Sequence, residues 1–199
     1  MKVLGGILAV LLVLALIVGA SVFQGYNHAI GLDEEVKQRW AQVENQLQRR
    51  YELIPNLVNT VKGVAGQEQK VFLGVAEARK SYFQTQEHGT VAEKAQAAGD
   101  VERTLSRLLM LQETYPELKS NESFLKLQDE LEGTENRLAV ERKRYNDAVQ
   151  TLNTYVRRFP GSFFSSIAGV HSAEYFKTEA EAKTAPKVDF SELNEQGKT

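Results

Sequence analysis

No cysteine occurs in the 199 residues, which excludes a disulfide, a thiol nucleophile, a zinc–thiolate site and an acylated lipoprotein cysteine. Such a composition suits an oxidising compartment without requiring one. Histidines are few, at positions 28, 88 and 171, and none has a carboxylate at the Glu-x-x-His spacing of di-metal bundle sites. Gly63 and Gly66 are not followed by the Lys and Ser/Thr of a phosphate loop, and no Gly-x-Ser-x-Gly elbow exists. The expectation is therefore a protein that is not an enzyme, with no catalytic, cofactor-binding or metal-binding residue. An excess of positive charge is missing as well. Beyond Lys2, 23 basic side chains face 26 acidic ones, a balance of about −3 that offers no electrostatic footprint for nucleic acid. Sustained period-two alternation is also absent, which argues against strands.

What is present begins with an apolar run. Residues Val3 to Ala20 are 18 uncharged, mostly aliphatic positions. As a helix they cover roughly 27 Å, close to the ~30 Å hydrocarbon core of a bilayer, and Ser21, Val22 and Phe23 extend them to the interface. The reading is a transmembrane anchor over residues 1–23. A cleaved signal peptide is the alternative, supported by Lys2 at the start and by the small residue Ala20 two positions after Val18, although signal-peptide cores run about 7–15 residues. Lys2 and the amino terminus mark the inner side, so the single-pass chain is expected in the cell membrane with its C-terminal domain outside the cytoplasm. Ala15 and Gly19 form a small-xxx-small pair through which two anchors can approach, a frequent chance pattern but also a route to a homo-oligomer.

Beyond the anchor, apolar residues recur every three or four positions, as in amphipathic helices. Gly89 followed by Thr90-Val91-Ala92-Glu93 reads as a helix end and then a capping box. Tyr115-Pro116, with Ser120 or Asn121 as the next cap, and Phe159-Pro160-Gly161 are further boundaries. Val36, Trp40, Val43, Leu47, Ile54, Leu57, Val61, Val64, Val71, Val75, Ala78 and Tyr82 share one heptad register, interrupted by Arg50 and Glu68. This favours one unbroken first helix kinked at Pro55. Length matching favours a break at Gly63–Gly66 instead, because an unbroken helix leaves Val36 to Leu57 without a partner.

The fold class expected is all-α: an N-terminal transmembrane helix followed by an elongated antiparallel four-helix bundle over 28–158, with helices at about 28–62, 67–87, 91–114 and 121–158. Three long helices with an unbroken, kinked first helix are the alternative. In the bundle, facing residues of the first and last helices have numbers summing to about 183. Arg50 then lies near Gly133, which would let helices approach closely, and Arg49 and Arg50 are candidates for structural ion pairs with Glu130, Glu132 and Glu135. Leu108-Leu109-Met110-Leu111 reads as the end of a buried helix, and Arg142-Lys143-Arg144 as a solvated face.

The same register returns Phe159 to the level of residue 24, beside the membrane. Residues 159–176 form an aromatic membrane-proximal segment. Arg157, Arg158, Phe159, Phe163, Phe164 and Ile167 are its candidates for contact with lipid; alternatively Phe163, Phe164 and Ile167 close the end of the core. The Glu-, Lys-, Thr- and Ala-rich residues 177–199 read as a disordered tail.

Two stretches carry a family resemblance: QLQRRYELIPNLV from Gln46 to Val58, continuing to Val61-Lys62-Gly63, and LQDELEGTENR from Leu127 to Arg137, continuing to Arg144-Tyr145-Asn146. With Tyr115-Pro116-Glu117-Leu118 and Arg158-Phe159-Pro160-Gly161 in this order behind an anchor, the chain resembles the bacterial LemA family up to about Phe176. The resemblance implies a single-pass membrane protein with a helical bundle outside the cytoplasm, and it brings no activity, cofactor or catalytic residue. The function expected is a non-enzymatic cell-envelope scaffold or adaptor that holds the bilayer through its anchor and an unidentified envelope protein through its bundle. A membrane-shaping protein acting by self-association and surface lipid contact is the alternative, and an envelope enzyme a distant third.

Overall fold

The computed structural model describes residues 2–177, so the tail expectation for 177–199 falls outside the described residues except at Lys177. Among the described residues every regular element is a helix, without a strand. Helix α1 runs Lys2–Val64 without interruption, 63 residues that pass through Pro55. No break separates the apolar run from the helix expected to start at 28. This is the one helix of the described residues long and apolar enough to cross a membrane. From Ile7 to Val18 its large aliphatic side chains are exposed, with no protein packed against them.

Helix α1 ends where the glycines predict. Ala65–Glu68 turn, with the Ala65 N–H donating to the Val61 carbonyl at 2.7 Å, and α2 follows over Gln69–His88. The alternative of a first helix that continues through Gly63–Gly66 as far as Tyr82 is thus not what the chain forms. Gly89 closes α2; a Cβ there would lie 2.5 Å from the Thr85 carbonyl oxygen, so steric room rather than a left-handed backbone demands the glycine. Helix α3, Val91–Thr114, opens with the capping box: the Glu93 N–H donates to Thr90 Oγ1 at 3.2 Å and the Thr90 N–H to Glu93 Oε2 at 2.7 Å. A 3-10 turn at Pro116–Ser120 leads to α4, Glu122–Arg157, capped by Asn121. The short α5, Gly161–Ala168, closes on Gly169 in the left-handed conformation at φ +66°.

Cross-helix contacts define the directions. His28 meets Tyr155, Trp40 meets Tyr145 and Arg50 meets Thr134, so α1 and α4 are antiparallel in the register with sums near 183. Tyr51 packs on Tyr82 and Lys62 lies over Phe72, so α2 runs back along α1. Glu44 binds Lys94, Arg50 binds Glu102 and Glu68 binds Tyr115, so α3 runs parallel to α1. Val43, Leu47, Tyr51, Ile54, Leu57, Leu105, Leu108, Leu131, Leu138 and Leu152 lie in the shared core. Burying each such large side chain is worth about 1.5–3 kcal/mol.

Two packing expectations need correction. Met110 is exposed although Leu108 and Leu111 are buried, because the helix keeps a solvent face even at its apolar end. Gly133 is not a close-contact point; the nearest atom to an added Cβ would be Arg137 Nη2 on the same helix, at 3.6 Å.

Candidate functional site

At the end next to the apolar run, α5 sits on α1 through a ring-on-glycine contact. The Phe164 ring lies so close to Gly25 that a Cβ there would fall 2.1 Å from Cδ2. Gly25 also accepts a hydrogen bond from the Tyr155 hydroxyl at 3.0 Å through its carbonyl. The Tyr155 ring meets His28 edge-on, and burial raises the pKa of its phenol. Gly161 lies against the Tyr155 carbonyl and ring, where a Cβ would come within 2.3 Å of the oxygen. Together these contacts clamp α5 beneath the apolar run.

The clamp sorts the candidate lipid contacts. Phe164 is half-buried against Gly25, whereas Phe163 and Ile167 are exposed and Phe159 is 87% exposed. Arg157 and Arg158 are exposed beside them. Phe163 and Ile167 therefore do not close the core; Phe164 alone of the three turns inward. The result is an aromatic collar with a basic edge, with Phe23 and Tyr26 of α1 exposed at its level. A recess of about 290 Å³ opens at this level between His28, Leu32, Tyr155, Arg158 and Phe159.

A second cluster surrounds Arg50, which is 4% exposed. Its Nη2 donates to both carboxylate oxygens of Glu102 at 2.9 Å. Its Nη1 donates to the Leu131 carbonyl at 2.7 Å and to Thr134 Oγ1 at 3.3 Å, with Glu135 Oε2 at 3.4 Å. Arg50 thereby ties α1 to α3 and α4. Sequence reasoning named Glu135 but missed Glu102. Glu130 and Glu132 face solvent, and Arg49 is exposed with no ion pair among the described residues. Next to the cluster, burial pushes the Tyr51 and Tyr82 phenols up, helped for Tyr51 by Tyr82 and for Tyr82 by the Glu44 charge.

The third feature is a strap that the sequence concealed. After Gly169 the chain turns back along α4. The Ala173 N–H donates to Asn153 Oδ1 at 2.8 Å, and Asn153 Nδ2 donates to the Ala173 carbonyl at 2.9 Å. One α4 segment further on, the Phe176 N–H donates to Asn146 Oδ1 at 2.9 Å and Asn146 Nδ2 donates to the Phe176 carbonyl at 3.1 Å. The Tyr145 hydroxyl donates to the Glu174 carbonyl at 2.8 Å. Phe176 itself is buried against Trp40, with the Arg142 guanidinium 4.9 Å from its ring centre. Arg142 is consequently not part of a solvated face; it covers Phe176 and lies 3.6 Å from Glu135. Two asparagines seven residues apart were the available signal.

Among the described residues, no group of three or more metal-binding side chains converges. A long apolar N-terminal helix continuous with packed helices, bearing an aromatic collar where the two parts meet, defines a class of membrane-associated helical proteins. Within that class the LemA family profile matches residues 39–190, most of the chain, and the chain belongs to the LemA family. The match starts after the apolar run and extends past Phe176, further than the quoted stretches reach.

Two relatives, magnetosome proteins MamQ 1 and MamQ 2 of Paramagnetospirillum magneticum, are each 24% identical over 201 residues, covering 89% of this chain and 73% of theirs. Magnetosome protein MamQ of Magnetospirillum gryphiswaldense is 23% identical over 194 residues, covering 84% of this chain and 71% of its own.

Proposed function

We propose that this protein is a non-enzymatic, single-pass scaffold or adaptor of the cell envelope, whose helices form an antiparallel four-helix bundle held outside the cytoplasm close to the bilayer. The observation that carries the reading is the continuity of α1 from the apolar run into the core, with α5 clamped on Gly25 at the junction. A flexible linker would let the domain drift from the membrane; a helix with a collar fixes its height and orientation. Phe159, Phe163 and Ile167 then rest at the acyl–headgroup boundary, with Arg157 and Arg158 among the phosphates. The surface of the bundle is left for a protein partner.

Cross-linking of the tagged protein at native abundance in intact membranes, followed by mass spectrometry, tests this. One abundant heterologous partner is the expected result. Self-links alone would overturn the adaptor reading and favour a membrane-shaping role, which the exposed aromatic collar supports as the second reading. Liposome flotation of the domain beyond the apolar run, with and without Phe159, Phe163 and Ile167 replaced by serine, tests the collar, and undiminished binding would remove it.

A further inference from the structure

The strap is held in an unusual way for a piece of core. Asn153 and Asn146 each grip both backbone groups of one strap residue, and the Tyr145 hydroxyl takes a third carbonyl. Seven residues of α4 advance about 10.5 Å, and the three residues from Ala173 to Phe176 cover about 10 Å in extended chain, so the two clamps match an extended peptide. Main-chain hydrogen bonds of this kind are indifferent to side chains. Selectivity comes from where side chains fall, and here one position is filled and one is not: Phe176 is 1% exposed, whereas beside the small Ala173 an apolar recess of about 360 Å³ lies open between Val36, Trp40, Val91 and Tyr145.

We propose that the α1–α4 groove is a docking site for an extended peptide segment of a partner protein that carries a large aliphatic residue three positions before a phenylalanine, and that the chain's own strap occupies it as a weaker internal ligand. The partner's aliphatic side chain fills the recess that Ala173 leaves open, and its phenylalanine replaces Phe176 between Trp40 and Arg142. Affinity is supplied by the backbone clamps and specificity by the two side-chain positions, as in other extended-peptide grooves. The proposal rests on the adaptor reading and names the site and the chemistry of what is adapted.

The test uses the full-length chain in lipid nanodiscs and a fluorescent seven-residue copy of residues 171–177 in which Ala173 is replaced by leucine. Binding is read by anisotropy on the chain carrying Phe176→Ala, which loosens its own strap. Saturable binding is expected, about tenfold tighter than for the copy that keeps alanine, since the leucine buries additional methylene groups. Adding Asn146→Ala and Asn153→Ala should weaken it at least tenfold. In the unaltered chain, whose folding is not in question, saturating leucine peptide should speed amide exchange at Ala173 and Phe176 at least tenfold.

No exchange response in the unaltered chain, equal binding of the leucine and alanine copies, or equal binding to the Asn-substituted chain would each overturn the proposal. Cross-links showing Phe176 of one tagged copy on Asn146 of another would also overturn it, in favour of strap exchange. Failure here leaves the membrane cross-linking result untouched, so the site and the adaptor role fall separately.

Discussion

Replacing Gly25 by alanine sets two effects against each other. Within a helix as regular as α1, alanine is favoured over glycine by about 1 kcal/mol. Against this, the new methyl would lie 2.1 Å from Phe164 Cδ2, 2.3 Å from Cγ and 2.5 Å from Cε2. Carbon atoms settle at about 3.5–4.0 Å, so the ring must retreat by about 1.5 Å. Rotation about the ring's own axis does not help, because Cγ is itself too close. Either the 63-residue α1 bends or the eight-residue α5 lifts, and the shorter element yields. Overpacking costs about 1–3 kcal/mol, and this falls in full on the docking of α5, because α1 keeps its helix preference for alanine whether α5 is docked or lifted.

Amide exchange of residues 161–168 in nanodiscs should accelerate by about 5- to 150-fold, with α1 and α4 unchanged. Combining Gly25→Ala with Phe164→Ala should give a chain more stable than Phe164→Ala alone, because the clash is gone and the helix preference remains. A Gly25→Ala chain with unchanged α5 protection would refute the clamp.

Arg50→Ala should lower stability to urea by about 2–3 kcal/mol, because the buried side chain leaves a void and the Leu131 carbonyl loses its donor, while Glu102 and Glu135, both partly exposed, take up water; Arg50→Met, which fills the volume, should cost clearly less. Equal losses would mean that charge and hydrogen bonding, not packing, hold this cluster. At alkaline pH, burial of Tyr145, with the Glu174 charge as a second cause, pushes its phenol up to about 12, whereas an unfolded tyrosine titrates near 10. The folded chain thus holds the proton more tightly, so this contribution is whole below pH 10 and is lost as pH rises through about 12, amounting to about 2–3 kcal/mol. Tyr145→Phe should flatten the fall in denaturation midpoint between pH 10 and 12, while Tyr51 and Tyr82, raised in the same direction, keep it from vanishing.

Local chemistry was the legible part of the fold. Thr90 and Glu93 lie three residues apart, and their reciprocal bonds need nothing from the rest of the chain, so the start of α3 could be read directly. The α1–α4 register followed from counting, since the helix lengths and the position of the turn at Gly63–Gly66 leave little freedom. Glu102 was missed because the phase of α3 about its own axis depends on how the α2–α3 pair docks, which no local signal encodes. The strap was missed for a related reason: extended chain gripped through its backbone leaves no periodicity in side chains. Phe164 differed from Phe163 only through Gly25, 139 positions earlier in the chain.

The continuity of α1 has a mechanical side. About 60 Å of helix extends past Phe23, so a tilt of the span by about 10° carries the far end at Val64 sideways by about 10 Å. In the arrangement proposed above, with the collar at the bilayer surface as fulcrum, bilayer thickness and lateral pressure would translate into the position of the distal tip, and a load on the tip would return to the membrane as torque on the span.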